Sequence, residues 1–258
     1  MKKNAFDSDK YFKIQRKAIL ERISHFENKL YLEFGGKIFN DFHASRVLPG
    51  FEPDMKMKML LGLKKKIEIV ANSNDIILNK SRNDIGISYQ DEVKRLIDIF
   101  NKMGFYVSSV DFSFYKENLI LTNFINFLNK KINVYKHYEI NGYPNDIETI
   151  FSNNGFEKNE YIKTTKPLIV VIAPGPGSGK MATCLSQLYH DNKKNIKAGN
   201  AKFETFPVWN LSLKHPLNIA YEAATLDLND VNLIDPYHFE AYKIVATNYI
   251  VMLKHSHC

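Results

Sequence analysis

Between Pro167 and Gln187 the chain reads Pro-Leu-Ile-Val-Val-Ile-Ala-Pro-Gly-Pro-Gly-Ser-Gly-Lys-Met-Ala-Thr-Cys-Leu-Ser-Gln. The apolar, mostly β-branched run Leu168 to Ile172 is flanked by prolines, which predicts a short strand buried on both faces, as in a parallel sheet. Gly175, Gly177 and Gly179 follow, and Lys180 opens a helical pattern. Glycines let backbone N–H groups approach a ligand closely, and a helix N-terminus with a lysine favours negative charge. Phosphate is the natural guest of Gly175, Gly177, Ser178, Gly179, Lys180 and Thr183. The alternative is a glycine-rich strand-to-helix turn with no ligand.

The loop departs from known phosphate motifs. A Walker A sequence, G-x-x-x-x-G-K-[ST], needs glycine where Pro174 stands and a hydroxyl where Met181 stands, so only Gly179 and Lys180 fit. A dinucleotide-type G-x-G-x-x-G fails because the third glycine comes one residue early. Met181 cannot ligate Mg²⁺, so a metal would be held by substrate phosphates, by Thr183, or by carboxylates elsewhere.

Along the chain helical and extended patterns alternate. Phe12, Ile19, Ile23 and Phe26 lie near one helical face, and Leu30, Leu32 and Phe34 alternate as a strand ending at Gly35-Gly36. Met55, Met59, Leu60 and Leu63 mark a helix after Asp54, with Met57 expected to complete its mix of core and surface. Strand Ile67 to Ala71 follows. Ser88 with Asp91 resembles a helix cap ahead of Val93, Leu96, Ile97 and Phe100, and Gly104 ends that helix before strand Phe105 to Val110. A helix through Ile120, Phe124, Phe127 and Leu128 precedes strand Ile132 to Tyr138. Strand Leu168 to Ile172 and strand Ala201 to Phe206 complete six. The expected fold class is α/β, a largely parallel doubly wound sheet, Rossmann-like or P-loop-like, with flanking helices and ligands at the strands' C-terminal ends. Residues 1–160 form the first half of this domain. Residues 161–249 add the glycine-loop segment and following helices, continuous with that half, and 250–258 stand apart as an aberrant tail.

Two other strand ends carry candidate chemistry. After the first strand, Glu33, Gly35, Gly36, Lys37, His43 and Arg46 could surround a polar ligand, or form a turn with solvated charges. After the sixth, Lys202, Glu204, Trp209, Asn210, Lys214 and His215 form a second polar group, with Glu204 the carboxylate to meet Mg²⁺ near Lys180. Asp227, Asn229, Asp230, Asn232, Asp235 and His238 look metal-like. However, Asp235-Pro236 also reads as a helix cap and first helical residue. His190, His215 and His238 lack partners at zinc spacing, so no metal site is assigned. The candidate catalytic residues are His43, Glu204, His215 and Asp230, with the two histidines as proton carriers and the carboxylates positioning metal.

Composition narrows the classes. At 45% hydrophobic and 13% aromatic the chain has material for a sizeable core. The net charge of +7 rests on 35 basic residues of which only five are arginine. Base readers favour the arginine fork, so solvated lysine faces are expected and no nucleic acid. No run is long and apolar enough to span a bilayer, and residues 1–7 lack a signal peptide's apolar region, so no membrane partner and a cytoplasmic location are expected. Cys184 and Cys258 suggest no disulfide framework.

The glycine segment and four further blocks carry a resemblance. These are Lys29-Leu-Tyr-Leu-Glu-Phe-Gly-Gly-Lys37, His43-Ala-Ser-Arg-Val-Leu-Pro-Gly-Phe-Glu-Pro-Asp54, Lys202-Phe-Glu-Thr-Phe-Pro-Val-Trp-Asn210 and Asn229-Asp-Val-Asn-Leu-Ile-Asp-Pro-Tyr-His238. Over about residues 1 to 249 the chain resembles a bacterial family known as uncharacterised protein family 0371, or domain of unknown function 1846. That resemblance implies no particular activity. The ATP-dependent peptidase description given to some members finds no H-E-x-x-H motif here. Family members look roughly twice as long, and the last nine residues do not resemble theirs, so a reading-frame slip near residue 250 is expected.

The leading functional expectation is a phosphate- or nucleotide-binding protein, read further as an enzyme acting on a phosphorylated or ATP-activated small molecule. ATP or another phosphorylated ligand, with Mg²⁺, would be its cofactors; a homo-oligomer is compatible with this. The alternatives are a non-catalytic ligand-binding or assembly protein and an inactive truncated fragment.

Overall fold

The computed structural model describes residues 7–26, 29–35, 38–39, 50–63, 66–82, 84–203, 230–234 and 247–251, with the single positions 214, 216 and 243. The chain divides into two compact units. One comprises Lys13–Ile38 and Met57–Phe203; the other comprises Met1–Phe12, Phe39–Lys56 and Glu204–Cys258.

In chain order the elements are α1 (Ser8–His25), β1 (Lys29–Phe34), α2 (Met55–Leu63), β2 (Lys66–Asn72), α3 (Ser73–Ile77), β3 (Ser81–Arg82), β4 (Ile87–Ser88) and α4 (Tyr89–Lys102). Then come β5 (Tyr106–Ser113), α5 (Leu119–Leu128), β6 (Asn133–Lys136), α6 (Ile147–Ile150), a 3-10 turn (Phe156–Lys158), β7 (Leu168–Ile172), α7 (Lys180–Lys193), β8 (Ala198–Phe203), β9 (Asp230–Ile234) and β10 (Thr247–Val251).

The larger unit is built on a six-stranded sheet in the order β6-β5-β2-β7-β1-β8, with every pairing parallel. This is the α/β architecture expected from the alternating patterns. The chain steps from β2 to β5 to β6 in one direction and from β6 to β7 to β8 in the other. Right-handed crossovers therefore place α4 and α5 on one face and the β6–β7 connection with α7 on the opposite face. The packing agrees, since α3 meets α4 and α5 while α7 meets the 3-10 turn. Between β2 and β7 the outgoing loops part to opposite faces and open a crevice at the C-terminal edge.

Burial follows position in the sheet. All five residues of β7 are buried, as its apolar run predicts. All six of β1 are buried too, although Leu30, Leu32 and Phe34 alternate with Tyr31 and Glu33. An alternating pattern suggests one solvated face, but β1 lies between β7 and β8 under cover on both sides. Its polar residues are consequently interior. Lys29 Nζ donates to Asp191 Oδ1 at 2.8 Å, and the hydroxyls of Tyr31 and Tyr161 donate to Asp191 at 2.9 and 2.7 Å. Burial, followed by the Asp191 carboxylate, pushes the Tyr31 phenol far above its ordinary range.

Strand limits differ from the sequence pattern for physical reasons. β5 runs three residues beyond Val110 because Asp111 and Ser113 are buried polar residues with partners inside the fold. β6 is shorter than the expected Ile132 to Tyr138, as an edge strand paired with β5 alone. β8 begins at Ala198, earlier than the expected Ala201, and the expected continuation at 204–206 falls outside the described residues.

Helix α4 starts as its sequence indicates, with Ser88 Oγ accepting from Asp91 N at 3.0 Å. Val93, Leu96 and Phe100 fill its buried face. Met55, Met57 and Met59 are all buried, so none supplies the surface position expected within that trio. In the smaller unit Ser8 Oγ donates to Gly50 O at 2.8 Å, Tyr11 meets Phe51 edge-on at 6.0 Å, and β9 pairs antiparallel with β10.

Candidate functional site

β7 delivers the glycine loop to the C-terminal edge, and residues from neighbouring strands pin it there. Asn72 Nδ2, at the end of β2, donates to Gly177 O at 3.3 Å, and Ser113 Oγ, at the end of β5, donates to Ser178 O at 2.7 Å. A trans peptide sets its N–H opposite its C=O, so the N–H groups of Ser178 and Gly179 point away from these strand ends. The first N–H groups of α7 have no partner within the helix and add to the same set of donors.

Two glycines are required by contact. A Cβ on Gly175 would stand 2.8 Å from the Tyr89 hydroxyl. Gly179 caps α7 at φ 82°, and a Cβ there would stand 2.8 Å from Ser113 Cβ. We expect Gly179→Ala to cost about 1–3 kcal/mol, from strained backbone together with the Ser113 contact. Gly177 has φ 66° but open space around it, so Gly177→Ala should cost less. Urea unfolding of both variants checks the order; equal losses would remove Ser113 from the explanation.

Beside the loop lies a cavity of about 400 Å³. Gly177, Ser178, Gly179, Lys180, Met181 and Thr183 line one part of it, and Phe114, Tyr138, Ile140 and Tyr143 another. Glu33 from β1 reaches the same cavity. Lys180 and Glu33 are both buried, at 6% and 5% exposure, so a buried ammonium and a buried carboxylate share one space. Lys180 Nζ lies 3.4 Å from Ser178 Oγ.

Beneath the cavity floor is a second polar group. Asp111 is fully buried on β5 and accepts from Thr183 Oγ1 at 2.7 Å. His137 Nε2 lies 3.0 Å from Glu160 O and 3.2 Å from Gln187 Nε2. His137 Nδ1 lies 3.3 Å from Asp111 Oδ2. Burial raises the Asp111 carboxyl to about 8, against a smaller opposing effect of the Thr183 hydrogen bond. Burial lowers His137 to about 4. Near pH 7 the pair is neutral, with a protonated Asp111 facing Nδ1. Both His137 nitrogens are turned to protein groups, so the ring lines the cavity without offering it a base.

The structure brings five predicted site residues, Gly177, Ser178, Gly179, Lys180 and Thr183, around one cavity. Thr183 directs its hydroxyl proton to Asp111. Gly175 lies under Tyr89, and Gly35 hydrogen-bonds through its N–H to Phe203 O at 3.1 Å. Asp230 begins β9 in the smaller unit. Gly36, His43, Arg46, Glu204 and His215 lie outside the described residues. Sequence reasoning missed Asp111, His137 and Tyr143. Asp111 did leave a signal, as a charge set between the apolar Val110 and Phe112. Among the described residues no group of three His, Cys, Asp or Glu side chains is placed to hold a metal, and no helix is long and apolar enough to cross a membrane.

Comparison with known proteins gives a consistent result. A UPF0371 protein of Streptococcus equi subsp. equi (strain 4047) is 59% identical over 252 residues, covering 96% of this chain and 51% of the relative. UPF0371 proteins of Streptococcus equi subsp. zooepidemicus (strain H70) and Streptococcus pyogenes serotype M5 (strain Manfredo) are each 58% identical over 252 residues, covering 96% of this chain and 50% and 51% of their own lengths. The chain thus spans about half the length of the curated relatives it matches. Residues 4–254 match the family described as "Domain of unknown function DUF1846, N-terminal". With that match and these identities, the chain belongs to the UPF0371 family, whose N-terminal DUF1846 domain it contains.

Proposed function

We propose that this protein binds the phosphate group of a small-molecule ligand at residues 175–180. The observation that carries the reading is the convergence, at one 400 Å³ cavity, of the glycine loop, the first turn of α7 and the buried ammonium of Lys180. Backbone N–H groups would hold phosphate oxygens while Lys180 neutralises charge. The amides, the helix end and the ammonium all favour the same anion.

An ATP-dependent enzyme acting on a small molecule is the finer form of this reading. In it Glu33, the carboxylate that shares the cavity with Lys180, takes the metal-positioning part that the sequence pattern gave to Glu204 or Asp230. Mg²⁺ would enter with the ligand's phosphates, because Met181 stands where a Walker loop carries its hydroxyl.

Isothermal titration with inorganic phosphate and with ATP tests the binding. Charge-assisted hydrogen bonds contribute about 1.5–3 kcal/mol, so Lys180→Ala should weaken whichever phosphate binds by roughly 10- to 100-fold. Equal affinity in wild type and variant would place the anion elsewhere.

A further inference from the structure

The first turn of α7 stands on a carboxyl group that has no cation beside it. Asp111 on β5 is fully buried, and its two polar contacts are the Thr183 hydroxyl at 2.7 Å and His137 Nδ1 at 3.3 Å. Its Oδ1 has no hydrogen-bond partner among the described residues. The groups packed around it supply no fixed positive charge. Val70 of β2 and Tyr135 of β6 lie in register with it, and the Tyr135 hydroxyl accepts from Lys163 N at 3.2 Å. Glu160, between β6 and β7, adds negative potential. On α7, burial holds the Cys184 thiol neutral, with Glu33 adding to that effect and Lys180 opposing it. Burial likewise keeps His137 neutral near pH 7. An ionised Asp111 would be a buried charge without compensation, so its contact with His137 keeps an acid proton at neutral pH.

Thr183 joins this proton to the anion site. It lines the cavity together with Lys180, and its backbone N–H donates to Gly179 O at 2.9 Å, closing the first turn of α7. Its hydroxyl hydrogen goes to Asp111. Loss of the acid proton sets a full negative charge one hydrogen bond away from the helix end that favours an anion. The two negative charges then compete for the same field. Resting on the phosphate reading above, we propose that anion binding is coupled to a proton: the protein holds phosphate tightly only while the Asp111–His137 contact keeps its acid proton. Linkage makes the effect reciprocal, so bound phosphate raises the pH at which that proton leaves. Asp111 touches no ligand and acts through Thr183, as a positioning residue. Its carboxyl, raised by burial to about 8, places the effect above pH 7.

Titration calorimetry of inorganic phosphate into wild type and Asp111→Asn, at pH 6.5 and pH 9, tests the coupling on the whole chain. Phosphate's own ionisation and the charge of Lys180 are common to both proteins, so the ratio of their dissociation constants isolates Asp111. That ratio, wild type over variant, should rise by about three- to tenfold between the two pH values. A second measurement needs no variant. At pH 8.5, titrations of wild type in buffers of different ionisation enthalpy should show uptake of roughly 0.4–0.7 proton for each phosphate bound. A ratio that does not change with pH, or binding without proton uptake, would overturn the coupling and leave the phosphate reading intact. If phosphate fails to bind wild type at pH 6.5, the phosphate reading falls and takes the coupling with it.

Discussion

Asp191→Ala is expected to destabilise the protein by about 3–5 kcal/mol, the cost of stripping the partner from a buried charge. Lys29 lies on a central strand with 6% of its side chain exposed, and Asp191 is its buried counter-ion. The same carboxylate accepts the hydroxyls of Tyr31 and Tyr161. Its removal leaves the buried ammonium of Lys29 and the buried phenol of Tyr31 without their carboxylate, and the half-buried Tyr161 hydroxyl with them. Asp191→Asn keeps acceptor capacity but not charge, so its loss should fall between that of wild type and the alanine variant. Replacing the pair together, Lys29→Met with Asp191→Leu, should recover much of the stability, because the unpaired charge is gone. Urea unfolding monitored by circular dichroism reads all three. An alanine variant within about 1 kcal/mol of wild type would mean that Lys29 reaches solvent when unpaired.

Stability should also fall as pH rises from about 6.5 to about 8, by about 2 kcal/mol, through Asp111. Its folded-state value is raised from 3.8 to about 8, so above pH 4 the folded chain keeps a proton that the unfolded chain has lost. Taken alone, this stability is full below pH 4 and is lost as pH climbs to 8. His137 acts in the opposite sense. Its folded value is lowered from 6.5 to about 4, so between those limits the unfolded chain binds the extra proton and stability rises with pH. From pH 4 to 6.5 the two effects offset each other, and only the Asp111 slope remains above. Denaturant midpoints at pH 6.5, 7.25 and 8 measure it. Asp111→Asn, which cannot ionise, should flatten the profile; an unchanged slope in that variant would assign the effect to other groups.

The layers of the fold were legible because local signals agreed with tertiary position. Leu168 to Ile172 is apolar throughout and lies buried on both faces, and Ser88 caps the helix it precedes. β1 was legible as a strand but not as an interior one. The cost of burying Lys29 is met by Asp191, 162 residues away, and no periodicity reports a partner at that range. The site divides in the same way. Gly177 to Lys180 form a contiguous motif, so their convergence could be expected. Asp111, His137 and Thr183 come from three elements and meet only because β5, β6 and α7 are assembled by the sheet. A histidine beside β6 has no neighbour in sequence that marks its role. Glu33 occupied the right strand end, yet it shares a cavity with Lys180 because β1 and β7 are adjacent, a pairing set by topology.

Helix α7, 14 residues long and therefore about 21 Å, is fastened at both ends. Thr183 ties its first turn to Asp111, and Asp191 ties its last turns to Lys29 and Tyr31. A rod held in this way would not swing on arrival of the proposed phosphate ligand. The amides at its tip are oriented when the chain folds, so little ordering is left for the binding step. Capture should therefore proceed as a single encounter, with an observed rate that stays linear in ligand concentration and shows no plateau from a slow closing motion.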